Sequence, residues 1–135
     1  MRIKKTMMML CAALLLGSSP CMAEDMKFVD ADGMTGYYVD VDSLTFENDS
    51  VVNARIAVKK PAMNRMFLYT MRFDVGMRTY QTLASEVLQY DPRKVLESKG
   101  GTDVSHPYGL TSPMNSIVEF IYEWRDRSRR IVKPD

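Results

Sequence analysis

Two stretches, "VVNARIAV" (51–58) and "MFLYTMRFD" (66–74), alternate in polarity with a period of two and are joined by "KKPAMNR". In the first, Val52, Ala54, Ile56 and Val58 fall on one side, and Asn53 and Arg55 on the other. In the second, Phe67, Tyr69, Met71 and Phe73 oppose Thr70, Arg72 and Asp74. Successive side chains of a strand point to opposite faces, so each stretch has one apolar and one polar face. That pattern marks an antiparallel sheet with one side in water. The proline and asparagine between the stretches supply a turn, which makes them a hairpin at the centre of the sheet. An apolar sheet face has to be covered by another element.

The end of the chain supplies that element. Ser112 is an N-cap residue and Pro113 suits the first helical position, where no amide donor is needed. Met114, Ile117, Val118, Ile121 and Trp124 then share one helical face, with Asn115, Glu119 and Glu123 opposite. The spacing predicts a helix from about Pro113 to Arg125. Ile117, Ile121 and Trp124 are expected to pack on the aromatic face of the 66–74 strand. The remainder, "RDRSRRIVKPD", is charged and reads as a frayed basic tail over 127–135.

"GYYVDVDSLTF" (36–46) is aromatic and β-branched and lies between two turn clusters, "DADGMTG" and "ENDS". "RTYQTLASEVLQYD" (78–91) is ambiguous. Tyr80, Leu83, Ala84, Val87 and Leu88 recur at helical spacing, yet both flanks are rich in strand formers, and "DPRK" followed by "VLES" reads as a hairpin return.

Residues 1–23 read as a signal peptide. Arg2, Lys4 and Lys5 precede an apolar run from Met7 to Leu16, and Cys21-Met22-Ala23 carries the small-residue pattern of a cleavage site between Ala23 and Glu24. The apolar run is shorter than the roughly 20 residues a spanning helix needs, so no integral membrane segment is expected after cleavage. Pro20, directly before Cys21, does not suit lipidation. Both cysteines, Cys11 and Cys21, leave with this segment. Residues 24–135 then hold no thiol, which excludes cysteine catalysis, Cys-ligated zinc and a disulfide scaffold. Losing Arg2, Lys4 and Lys5 also takes the net charge from +1 to −2, which gives no sign of nucleic-acid binding. At this length the chain is one domain with one core.

The order "GYYVDVDSLTFENDSVV", "FLYTMRFDVGMRTYQTLASEVLQYD", "SHPYGLTSPMNSIVEFI" resembles the surface-adhesin protein E-like family of exported bacterial domains. The likeness runs from about Lys27 to Trp124 and lies in strand phrasing: Tyr38-Val39-Asp40, Ser43-Leu44, Phe73-Asp74, Arg78-Thr79-Tyr80 and Tyr90-Asp91. It implies an antiparallel sheet backed by a C-terminal helix, and it makes 78–90 a strand. Val75 stands where the family has a cysteine, so the family disulfide is absent. The adhesin that names the family binds host extracellular and serum proteins, and the likeness implies a comparable binding role.

The expected fold is therefore α+β: a single antiparallel sheet of about five to six strands with a C-terminal helix packed on one face. The domain occupies 24–126. No residue pattern spells out a chemistry. His106, the one histidine, sits in a loop before Pro107; a hydrolase triad with Ser105 or Ser112 is the weaker reading. Asp30, Asp32, Asp40 and Asp42 alternate as in calcium loops, but the glycine and closing glutamate of such loops are missing, so no metal and no cofactor are expected. Lys59, Lys60 and Arg65 surround the hairpin turn, and Arg125, Arg127, Arg129, Arg130 and Lys133 crowd the tail; both clusters, the second through Arg127, Arg129 and Arg130, are candidate contacts for a macromolecular partner. Tyr37, Tyr38 and Tyr108 are candidate aromatic anchors. Taken with the resemblance, these residues imply an exported, non-enzymatic binding module in the periplasm, at the cell surface or secreted, engaging host extracellular-matrix, serum or envelope proteins. A periplasmic structural or accessory domain is the alternative.

Overall fold

The computed structural model describes residues 24–132; the expected signal peptide and cleavage site preceding Glu24, and the last three residues, lie outside them. Six strands follow one another in chain order across an antiparallel sheet: β1 (Met26–Asp32), β2 (Thr35–Asn48), β3 (Val51–Lys60), β4 (Arg65–Asp74), β5 (Thr79–Tyr90) and β6 (Arg93–Gly100). A two-residue strand, β7 (His106–Pro107), pairs with the start of β5. One helix, α1 (Pro113–Val132), follows. The fold is α+β, as the alternation and the C-terminal amphipathic segment require.

The central hairpin forms in full register from Val51↔Asp74 to Lys60↔Arg65. Its tip is a single 3-10 turn, Pro61–Met63, closed by Asn64 at φ 52°. That left-handed conformation is one asparagine tolerates better than most residues.

The helix buries Ile117, Val118 and Ile121 against Val39, Val52, Ala54, Ile56, Met71 and Phe73. The Ser112 hydroxyl accepts a hydrogen bond from the Met114 amide at 3.1 Å, capping the N-terminus. Three expectations need correction. The helix backbone lies closest to β1 and β2, not along β4; Met71 and Phe73 of β4 are buried in the helix core, and Phe67 and Tyr69 pack half-buried against it. Trp124 is half-buried at the margin. It stacks on Phe120 at 6.0 Å, with the Lys27 ammonium 5.7 Å and the Arg127 guanidinium 5.4 Å from its ring. The helix also continues through 127–132 instead of ending in a frayed tail, because arginine is a good helix former and no glycine or proline stops the run before Pro134.

The opposite face of the sheet is not simply wet. Ala57, Met66, Leu68 and Leu88 are buried there, with Met26, Tyr38 and Tyr90 packed around them. The sheet therefore separates two apolar clusters, the larger on the helix side.

Residues 78–90 form β5, with a one-residue irregularity opposite Thr70 and Met71. Thr82 pairs with Met71 and Ala84 with Thr70, which leaves Leu83 as the extra residue. Tyr80 and Thr82 lie opposite Phe73 and Met71 on the helix side; after the bulge, Ser85 and Val87 take that side opposite Tyr69 and Phe67.

Candidate functional site

On the helix side, the part of the sheet that α1 leaves open forms a trough. One hollow of about 380 Å³ is lined by Tyr37, Lys60, Phe67, Tyr69, Tyr80 and Met114, among others. A second, of about 280 Å³, lies between Phe67, Tyr69, Val87, Glu97 and Lys99. Phe67 and Tyr69 line both, so they form a ridge between them. The position of this ridge follows from the strand period: Phe67 and Tyr69 share a face with Met71 and Phe73, of which the latter pair is buried in the helix-side core and the former packs half-buried against it.

The trough is largely aromatic. Burial first, and then the negative charges of Asp32 and Asp30, hold the Tyr37 phenol above its ordinary value. Burial raises Tyr69 as well, with Tyr37 as a second cause. Both phenols stay neutral under ordinary conditions and offer a hydroxyl beside apolar ring surface. Lys60 stands at one end, its ammonium 5.5 Å from the centre of the Phe67 ring. At the other end Lys99 pairs with Glu97 at 3.2 Å.

The basic residues picked out by sequence are not brought together on one surface. Lys59 and Lys60 are consecutive in a strand and point to opposite faces: Lys59 sits 4.3 Å over the Tyr38 ring, and Lys60 lines the trough. Arg65 folds back onto the turn, donating to the Met63 and Asn64 carbonyls at 3.4 and 3.2 Å. Arg127, Arg129 and Arg130 lie on the last turns of α1; Arg127 and Arg130 share a shallow depression with Glu123 and Asp126, so the cluster is interleaved with acid. Tyr108 is not an exposed anchor. It is buried in the helix-side core, and its amide donates to the Arg78 carbonyl at 3.1 Å. Tyr38 packs with the second cluster, its ring edge-on to Phe28.

The residues weighed for other chemistries have local structural roles. Asp40 is buried, and its Oδ1 accepts from the amides of Asp25 and Asp42 at 3.0 and 3.1 Å. The Ser43 hydroxyl donates to the Asp40 carbonyl at 2.7 Å and accepts from the Arg55 amide at 2.8 Å. Together they stitch a bulge in β2, where the register jumps between Asp40↔Arg55 and Thr45↔Asn53. "DVDS" is thus a device for bending a strand. His106 is exposed and packs against Tyr80, ring centres 5.5 Å apart. Among the described residues no three His, Cys, Asp or Glu side chains gather in a metal-holding group.

Sequence reasoning placed Arg125 among the tail charges and missed its role. Its guanidinium lies 5.1 Å from the Phe46 ring and 4.6 Å from the Tyr122 ring, and Nη1 approaches Asp49 at 3.8 Å. The Tyr122 hydroxyl donates to the Asp49 carbonyl at 2.8 Å. These contacts fasten the middle of α1 to the β2–β3 turn. The available signal was the i, i+3 spacing of Tyr122 and Arg125.

No family model, no curated protein and no solved structure matches this chain.

Proposed function

We propose that residues 24–132 form an exported, non-enzymatic binding module of the bacterial envelope or surface, of the surface-adhesin protein E-like kind, that engages a host matrix, serum or envelope protein. One observation carries this reading. On the helix side, Tyr37, Phe67, Tyr69 and Tyr80 are only half-buried and line one open hollow beside Met114 at the start of α1. Half-buried aromatic side chains around such a depression are the material of interface anchors: they supply large area at little conformational cost and carry a hydroxyl for the partner. The basic residues contribute through Lys60 at the rim, since Lys59 and Arg65 are engaged elsewhere.

The test is a surface-plasmon assay of the chain starting at Glu24 against matrix and serum proteins. A Tyr69→Ala variant and a Lys59→Glu/Lys60→Glu/Arg65→Glu variant run alongside. Binding abolished by Tyr69→Ala, with an unchanged melting temperature, supports the reading. Absence of binding to every matrix, serum and envelope protein tried would replace it with a structural role.

A further inference from the structure

We propose that the β3–β4 and β5–β6 turns together rest on an anionic phospholipid surface, with Met63 entering the headgroup layer. This seat lies at one end of the sheet and is independent of the trough.

The two turns form one platform. Strand register sets them side by side, with Lys60↔Arg65 closing the first and Tyr90↔Arg93 the second, two strand spacings or about 10 Å apart. Asn64 ties them through its two hydrogen bonds to Asp91. Residues 59–65 and 91–94 hold five cations, Lys59, Lys60, Arg65, Arg93 and Lys94, against one carboxylate, Asp91. Their net charge is +4, on a chain whose residues 24–135 carry −2. Arg93 pairs with Glu24 at 3.4 Å; the other four cations have no carboxylate partner among the described residues. The β1–β2 turn at the same end also exposes Met34. Asp30 and Asp32 precede it closely, so the seat centres on the other two turns.

The shape of the platform selects the partner. Lys59 and Lys60 point to opposite faces of the sheet, so a partner lying on either face meets only one of them. A plane laid across the end meets both. Neither lysine is on an edge strand, so protection of an edge does not account for them. The crest between the cations is apolar: Pro61, Ala62 and Met63 are all exposed, Met63 at 59%. An apolar crest ringed by cations matches an anionic bilayer. The long lysine stems let the ammonium groups reach phosphates while the crest enters the boundary with the acyl chains. A soluble polyanion would use the charges and leave the methionine in water.

The test is sedimentation of the chain starting at Glu24 with vesicles of phosphatidylglycerol and phosphatidylethanolamine in equal parts, against vesicles of phosphatidylcholine alone. Binding to the first and not the second is expected, and it should weaken as salt rises. Lys59→Ala and Lys60→Ala are each expected to weaken it about fivefold, the effect of one basic residue near an anionic surface. Met63→Asp should weaken it about tenfold, by losing the inserted side chain and adding repulsion. Thermal melts confirm that the variants fold. Residues 24–135 hold no cysteine, so Met63→Cys can carry a single environment-sensitive fluorophore. Its emission should shift to the blue on the anionic vesicles. A label on Met77→Cys, in the exposed β4–β5 turn at the other end of the sheet, should not shift.

Absence of binding to the anionic vesicles, equal binding to phosphatidylcholine, or vesicle binding that leaves the Met63→Cys emission unchanged would each overturn the proposal. Loss from one of Lys59→Ala and Lys60→Ala alone would overturn it too, since it would place the lipid on one face. The vesicle assay contains no protein partner, so its failure leaves the trough reading intact, and failure of the trough to bind protein leaves this seat intact.

Discussion

The side-chain amide of Asn64 grips the backbone of Asp91, donating to its carbonyl at 2.9 Å and accepting from its amide at 3.2 Å. This double bond joins two turns, β3–β4 and β5–β6, that are 27 residues apart in the chain. It fixes the end of the sheet from which the trough opens. Asn64→Ala removes both bonds and also places an ordinary residue at φ 52°. The expected loss is about 1–3 kcal/mol, from exposed hydrogen bonds and the left-handed backbone together. Asn64→Gly keeps the backbone freedom and loses only the bonds, so it should fall between alanine and the parent in a urea titration. Equal midpoints for Asn64→Ala and the parent would show that the grip does not form.

Gly101 lies directly on the β5 bulge. A methyl group there would overlap the Leu83 backbone carbonyl and the Thr82 carbonyl oxygen, next to the hydrogen bond from the Thr102 amide to Thr82 at 3.0 Å. Because the obstruction is backbone, it cannot rotate aside. Gly101→Ala is expected to cost about 1–3 kcal/mol, as overpacking does. Gly100→Ala, with open space around it, should cost little, and a melting curve for each separates them. Comparable losses would place the cause in backbone freedom instead of the contact.

The bulge also explains what was legible in the sequence. β3 and β4 keep an unbroken period of two over the whole hairpin, so their faces could be assigned from the residues alone. β5 changes phase at Leu83, and a strand that slips by one residue moves its side chains to the other face. Read without the slip, Tyr80, Leu83, Ala84, Val87 and Leu88 imitate a helix; the resemblance to a family, not the periodicity, favoured a strand. The apolar residues of the second face, Ala57, Met66, Leu68 and Leu88, were hidden because they share that face with Arg55, Lys59 and Glu86, whose charges make it read as wet. The trough was illegible for a further reason. Phe67 and Tyr69 carry the same pattern as Met71 and Phe73, and only where α1 crosses along the length of β4 decides which pair is buried.

The helix face can be tested by contrast. Ile121 is fully buried, Trp124 lies at the margin and Glu119 is exposed. Ile121→Ala should cost about 2–5 kcal/mol by leaving a cavity. Trp124→Ala should cost less than Ile121→Ala despite the larger side chain removed, since Trp124 is outside the helix-side core. Glu119→Ala should lie within about 0.5 kcal/mol of the parent. The ranking in chemical denaturation is the readout, and Trp124→Ala as the most damaging change would mean the helix is rotated toward β1.

Alkaline pH should loosen the domain. Burial is the main cause that raises the Tyr37, Tyr69, Tyr108 and Tyr122 phenols in the folded chain. A folded value above the unfolded one means that folding favours the protonated, neutral form. The associated stability is fully present below the unfolded value of about 10 and is lost as pH rises through the folded values. The urea midpoint should hold between neutrality and about pH 9 and fall above about pH 10. Tyr122→Phe should flatten part of that fall, while lowering stability at neutral pH through loss of the hydrogen bond to Asp49. A midpoint that rises with alkalinity would contradict the burial of these phenols.

Lys59 and Lys60 offer the sharpest test of which face binds. They are adjacent in sequence and equal in charge, but Lys60 lines the trough and Lys59 covers Tyr38 on the opposite face. If a partner docks in the trough, Lys60→Glu should weaken it about two- to fivefold, the size expected for one exposed ion pair. Lys59→Glu should leave its affinity unchanged. The Lys60 effect should shrink as salt rises, because exposed charges are screened over about 8 Å at physiological ionic strength. Affinities measured for both variants at low and at physiological salt decide the matter. A larger loss from Lys59→Glu than from Lys60→Glu would move the binding surface to the Tyr38 side of the sheet.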